Sequence, residues 1–166
     1  MAPISQGGAK LGMGMKLFRN TAADYDTPTW VEVGNVRDLT LNLTSSQADA
    51  TTRGNNGWRA MVAALKDGSV DFEMIYDPED TDGWVAFRDA YDNKTPQDIA
   101  ISDDSMTPAD IPTGENGTYF RAVFTVQTFT QSEPLEDIVT NAVNMTPTYV
   151  TDPAQAPKFG QTVGAG

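Results

Sequence analysis

The segment GTYFRAVFTVQTFTQ, residues 117–131, alternates side-chain character at nearly every step. Phe120, Ala122, Phe124 and Val126 fall on one side, and Tyr119, Arg121, Thr125 and Gln127 on the other. A period of two is the signature of an extended strand, whose side chains point to opposite faces in turn. At about 3.3 Å per residue such a strand runs roughly 40 Å, longer than most. Leu39, Leu41 and Leu43 alternate with Thr40, Asn42 and Thr44 in the same way, and Val70, Phe72, Met74 and Tyr76 with Asp71 and Glu73. Shorter runs, KLFR, TWVEV, DIAI and the stretch from Ile138 to Met145, add strands; in the last, Val139, Val143 and Met145 share a face. The chain is therefore expected to be mainly β and antiparallel.

One segment breaks the alternation. In DTDGWVAFRDAYDN, Trp84, Phe87 and Tyr91 recur at helical spacing. Asp80 or Thr81 can cap the start and Asn93 the end, which predicts a helix over about 80–92. Its aromatic face is expected to lie across an open side of the sheet, a packing role that needs no ligand.

Composition narrows the function. With 166 residues the chain reads as one domain able to bury a core. Charged residues at 20% and hydrophobic ones at 39% argue against wholesale disorder. No apolar run approaches the roughly 20 residues of a membrane span, and the start MAPISQGGAKLGMGMK lacks an apolar core of export-signal length. The expectation is a protein made and kept in the cytoplasm of its producing cell, with no membrane partner. There is no cysteine and no histidine. Disulfides, thiolate nucleophiles, Ser-His-Asp arrangements and most transition-metal sites are thereby excluded. Twenty-three acids against eleven bases leave a formal charge of −12, which disfavours tight binding to a nucleic acid backbone.

Both ends read as flexible arms, 1–15 rich in Gly and 151–166 rich in Pro, Ala and Gly, around a β domain spanning 16–150. The signals that mimic chemistry fail on their own terms. DPEDTDGWVAFRD carries Asp80, Asp82, Gly83 and Asp89 at calcium-loop offsets, but the register set by Gly83 puts Pro78 where the first acid belongs. GGAKLGMGMK fits no phosphate-binding pattern. Asp103 and Asp104 are adjacent, and adjacent acids on a strand face opposite ways. The glycosylation triplets at Asn42, Asn93, Asn116 and Asn144 mean little without secretion. No catalytic residue, cofactor site or metal site is expected.

What remains is TTRGNNGWRA, residues 51–60, where two arginines and a tryptophan surround a turn signal. After Leu43 the alternation stops until Trp58, so 44–57 reads as a long loop joining two strands, a hairpin projecting from the sheet. Asp49, Thr51, Arg53, Asn55, Trp58 and Arg59 are its candidate contact residues, and Trp and Arg are types that interfaces favour. Trp58 buried at the start of the next strand is the structural alternative.

The order of these features carries a resemblance. Asp49-x-Thr51-x-Arg53, then Gly57-Trp58, then LKDGSVDFE leading to YDP, the aromatic helix, the phenylalanine-rich strand and PLEDIV with a final strand resemble the major tail tube proteins of long-tailed, siphovirus-type bacteriophages. The likeness covers roughly Lys16 to Thr148. It implies an antiparallel β-sandwich or partly closed barrel flanked by one α-helix, in homohexameric rings that stack head-to-tail into a hollow tube conducting genome DNA. It implies residence in the virion tail after assembly in the host cytoplasm, and as partners the tape measure, tail terminator and distal tail or tip proteins. On that reading the loop contacts a neighbouring subunit, DNA passes without tight binding, and Asp71 and Glu73 on a polar strand face are the possible lumen acids. The alternative is a monomeric β-sandwich binding module for a carbohydrate or cell-surface ligand.

Overall fold

In the computed structural model the alternating segments become eight strands among the described residues, which are 15–103, 106–113 and 117–161. They are β1 (Lys16–Asn20), β2 (Trp30–Glu32), β3 (Val36–Asp49), β4 (Met61–Ile75), β5 (Gln97–Ser102), β6 (Thr118–Ser132), β7 (Thr140–Pro147) and β8 (Lys158–Gln161). Helix α1 spans Trp84–Asn93, and a single further turn, α2, spans Asp110–Thr113. The fold is mainly β, antiparallel throughout, with a sheet that does not close on itself. The expected N-terminal arm lies outside the described residues.

The chain divides into two compact units interleaved in sequence: Met1–Gly34, Gln97–Val123 and Val150–Gly166 in the first, Asn35–Pro96 and Phe124–Tyr149 in the second. Linear composition shows no such division, because each unit is built from segments far apart in the chain.

In the first unit the strands run β2-β1-β5-β6, with β8 also on β6. Leu17 stands opposite Ile101 and Phe18 opposite Ala100, so the apolar rows of β1 and β5 meet in register. Phe18, Trp30, Ala100, Met106, Ile111 and Tyr119 form the core. The alternation of β6 assigns Tyr119 and Arg121 to its polar side, yet both are buried, because this part of β6 is covered on both faces. A buried guanidinium needs partners. Arg121 finds them in the Asp98 carboxylate, which accepts from Nε at 3.0 Å and from Nη2 at 2.6 Å, with side-chain exposures of 8% and 12%. Nη2 also donates to the Tyr25 carbonyl at 2.7 Å, and the guanidinium lies 3.5 Å from the Tyr25 ring centroid. Asn20 donates to the same carboxylate at 3.0 Å. None of this network is visible in the alternation.

The C-terminal segment corrects another expectation. Residues 158–161 form β8, paired Lys158 to Arg121 and Phe159 to Phe120, with the two phenyl rings 4.9 Å apart edge-on. A strand of 4 residues with one apolar side chain is too short to show a period. Gly160 is required at its position, since a Cβ there would run into the Tyr119 ring.

In the second unit the order is β6-β7-β4-β3. Val70, Phe72 and Met74 of β4, Val143 and Met145 of β7, and Phe124 and Val126 of β6 form a buried row, and α1 lies over this face. Phe87 meets Phe72 edge-on at 5.3 Å, Trp84 meets Tyr76 at 4.8 Å and Phe129 at 6.0 Å, and Tyr91 stacks on Phe129 at 6.4 Å. Phe87, fully buried, contributes about 1.5–3 kcal/mol by its burial. The Trp84 indole N–H donates to Asn141 Oδ1 at 2.7 Å beneath the helix. Neither expected cap holds that position: the N-cap is Gly83, and Asp80, three residues earlier, accepts from the Gly83 and Trp84 amides at 2.9 and 3.2 Å. The helix ends at Asn93, as expected, and Lys94 is its C-cap. Lys94 is left-handed, φ 53°, with its N–H turned back to the Ala90 and Tyr91 carbonyls.

Asp98→Ala would leave Arg121 buried without its anion. The expected loss is about 3–5 kcal/mol of unfolding free energy, measured by chemical denaturation; a loss under about 1 kcal/mol would show that the pair does not hold the unit together.

Candidate functional site

Burial along β3 and β4 ends where the layer above them ends. Val70 is buried and Leu41 opposite it half-buried; from the Leu43–Gly68 pair outward, nearly every residue of both strands is exposed. The stretch 44–49, read as loop because its polarity does not alternate, is strand. Neither face there is covered, so no burial imprints a period on the sequence. The result is a free two-stranded ribbon closed by the loop 50–60.

Two local devices shape the ribbon. Gly68 allows close approach, since a Cβ there would stand 3.1 Å from the Leu43 side chain and 3.3 Å from the Asn42 carbonyl. Farther out a register shift between Ser45 and Gln47 is bridged by Ser46, whose hydroxyl accepts from the Leu65 N–H at 3.0 Å and donates to the Leu65 carbonyl at 3.2 Å. This is a β-bulge tied by a side chain.

The tip is preformed. The Ala50 amide donates to the Ala60 carbonyl at 2.9 Å and the Ala60 amide to Thr51 Oγ1 at 3.0 Å, closing the loop at its base. Residues Arg53–Asn55 make a 3-10 turn, and Asn56 (φ 51°) and Gly57 (φ 83°) reverse the chain in the left-handed region that Gly and Asn tolerate. The Asp49 carboxylate accepts from the Thr51 amide at 2.9 Å and from Arg59 Nε at 3.4 Å. Those donors hold its pKa below the ordinary value, the Thr51 hydroxyl and amide first and Arg59 after them.

The candidate contact residues thus separate by role. Asp49, Thr51, Asn55 and Arg59 bond within the loop. Arg53 and Trp58 project, with Trp58 80% exposed, so the alternative of a buried Trp58 does not hold and the ring does not anchor the hairpin base. Leu65 at 80% exposure and Val62 and Met61 alongside add apolar surface that sequence reading did not single out, since no periodic run includes them.

The opposite face of this unit, away from α1, is polar. Asp71 sits half-buried on it and accepts from Asn144 Nδ2 at 2.6 Å and Asn42 Nδ2 at 2.8 Å. Glu73, on the same face, shares a recess with Asp38, Asp71, Thr128 and Asn144. Asp38 is left-handed, φ 52°, at a second register shift of β3. The three aromatics of the helix packing face, Trp84, Phe87 and Tyr91, point the other way, onto the sheet. Among the described residues no group of three or more acids is placed to hold a metal ion.

The sequence profile of a family described as phage tail tube protein matches residues 15–148. No curated protein sequence matches the chain. Among solved structures the fold is similar to the tail of an empty gene transfer agent particle refined with C6 symmetry (TM-score 0.66, 12% identity, 92% of this chain and 99% of that one). It is similar to the SPP1 tail tube (TM-score 0.65, 14% identity, 92% and 80%). It also matches a chain of the sheath/tube terminator of an extracellular contractile injection system (TM-score 0.55, 8% identity, 94% and 99%). At these identities the likeness is one of fold.

The tip hydrogen bonds imply a titration. A carboxylate whose folded pKa is depressed keeps its bonds above its ordinary value, 3.8, and loses them as pH falls through the lower folded value. The Thr51 amide resonance should therefore shift with a midpoint below 3.8, and Asp49→Asn should abolish the shift. A midpoint at or above 3.8 would mean the loop bonds do not form in solution.

Proposed function

The chain belongs to the phage tail tube protein family, and from that premise we propose that its copies close into rings of six that stack into a hollow tube through which genome DNA passes from capsid to host. The role is structural, not catalytic. The observation that carries the reading is the free β3–β4 ribbon. A two-stranded ribbon is marginal in water by itself, and this one exposes Trp58, Leu65 and Val62 together on a pair of strands that no layer covers. A neighbouring copy that covers the ribbon supplies the missing layer. The sixfold symmetry of the similar gene transfer agent tail supports a ring of six.

Closing a ring needs a heterologous contact that returns on itself, and stacking needs a second that repeats along the axis. The polar face bearing Asp71 and Glu73 suits the bore. Six copies of −12 carry −72 per ring, and a bore lined by acids repels the DNA backbone rather than gripping it. The tube ends would meet the tape measure, terminator and distal tail proteins, placing the chain in the virion.

Electron microscopy of concentrated protein tests the reading: stacked rings of uniform diameter with a central bore are expected, and particles that stay single even beside the other tail proteins would sink it. Arg53→Glu should reduce tube formation at least tenfold while moving the thermal midpoint by less than about 2 °C, since the substitution is at an exposed site. A large drop in that midpoint would place Arg53 in the fold instead.

A further inference from the structure

Charge and exposed apolar surface are not spread evenly over the second unit. The ribbon, residues 44–67, carries Arg53, Arg59 and Lys66 against Asp49 and Asp67, a net +1 on a chain of −12. The turn joining β6 to β7, EPLEDIV at 133–139, carries Glu133, Glu136 and Asp137 with no cation, and Leu135 at its apex is 100% exposed. One tip is thus basic with Trp58 and Leu65 uncovered; the other is acidic with Leu135 and Ile138 uncovered.

Strand order places them at opposite ends. β4 begins at Met61, beside the ribbon tip, and ends at Ile75, which pairs with Thr140 next to the acidic turn. The Tyr76 amide donates to the Val139 carbonyl at 3.0 Å and closes that end. Along the 15 residues of β4 the two tips stand roughly 45 Å apart. Within one copy they cannot meet. Between copies they can, and because donor and acceptor sit at opposite ends, each copy so joined offers a fresh pair, which is the geometry of an open, repeating contact.

Resting on the self-assembly reading above, we propose that the ribbon tip of one copy docks on the β6–β7 turn of a second copy, with Trp58 covering Leu135 and with Arg53, and Arg59 whose side chain is 74% exposed beside its 3.4 Å contact to Asp49, against Glu133 and Glu136. The apolar rings and side chains supply most of the burial. The ion pairs set direction and reject like-ended approach, since two acidic turns or two basic tips repel.

Charge reversal tests it. R53E/R59E and E133R/E136R are each expected to cut tube yield at least tenfold, by sedimentation and microscopy, with thermal midpoints near that of the unaltered chain. The fourfold variant carrying all these reversals, which restores opposite charge at every junction, is expected to recover at least half of the original yield. If either double variant assembles as well as the original, or the fourfold variant stays inactive while the original chain forms tubes, the docking pair is wrong and the tube reading stands. If the original chain never assembles, the tube reading fails and the docking pair with it.

Discussion

Every extended face of this molecule has to be covered, and the places where cover runs out decide what the chain does. In the second unit, α1 seals one face of β4, β7 and β6 through Trp84 and Phe87, and Val70, Phe72 and Met74 lie dry beneath it. Two of the polar groups drawn under cover are met locally, the Trp84 indole by Asn141 and the Arg121 guanidinium by Asp98 and Tyr25, while Trp30 Nε1 and Asn141 Nδ2 have no hydrogen-bond partner. Past Leu43 and Gly68 there is no layer left, only two strands bonded to each other. The same antiparallel pair is thus core at one end and bare ribbon at the other, and the transition falls within a few residues.

That arrangement bears on the self-association proposed above for an acidic chain. A net charge of −12 keeps separate copies apart over the range of the screened field. Association then depends on short-range features that override it in one orientation. Trp58 and Leu65 on the ribbon and Leu135 on the β6–β7 turn are exposed already, so contact through them does not require any internal packing to open. Membership of the phage tail tube protein family fits a unit that is finished inside and unfinished at its extremities.

The sequence was legible wherever one face of a strand is wet and the other dry. β6, β4 and the inner half of β3 were found that way, as was α1 from the spacing of Trp84, Phe87 and Tyr91. The rule fails in both opposite limits. On the outer ribbon neither face is dry, so Thr44–Asp49 shows no period and reads as loop although it is strand. On the first half of β6 neither face is wet, so the alternation assigns Arg121 to solvent although it is buried. The signal for the second failure was present, an Asp opening the apolar run DIAI and an Arg inside FRAVF, but nothing in one dimension says that they pair. The contact loop was found through its turn chemistry and residue types. Which of its side chains bond inward and which project depends on where hydrogen-bond donors converge on Asp49, and that is a three-dimensional fact.

β3 is the last strand of its unit, and no described strand pairs with its outer side. A flat, bare margin 14 residues long would invite another chain to zip along it and grow into a fibre of the wrong kind. A kink breaks that margin near its start, where the left-handed Asp38 stands at a shift with the extra residue on β3; farther out, at Ser46, the extra residue is on β4. The kink at Asp38 interrupts the row of donors and acceptors that lateral growth would copy. The guard against lateral growth lies in backbone shape, where a scan of side-chain polarity would not detect it.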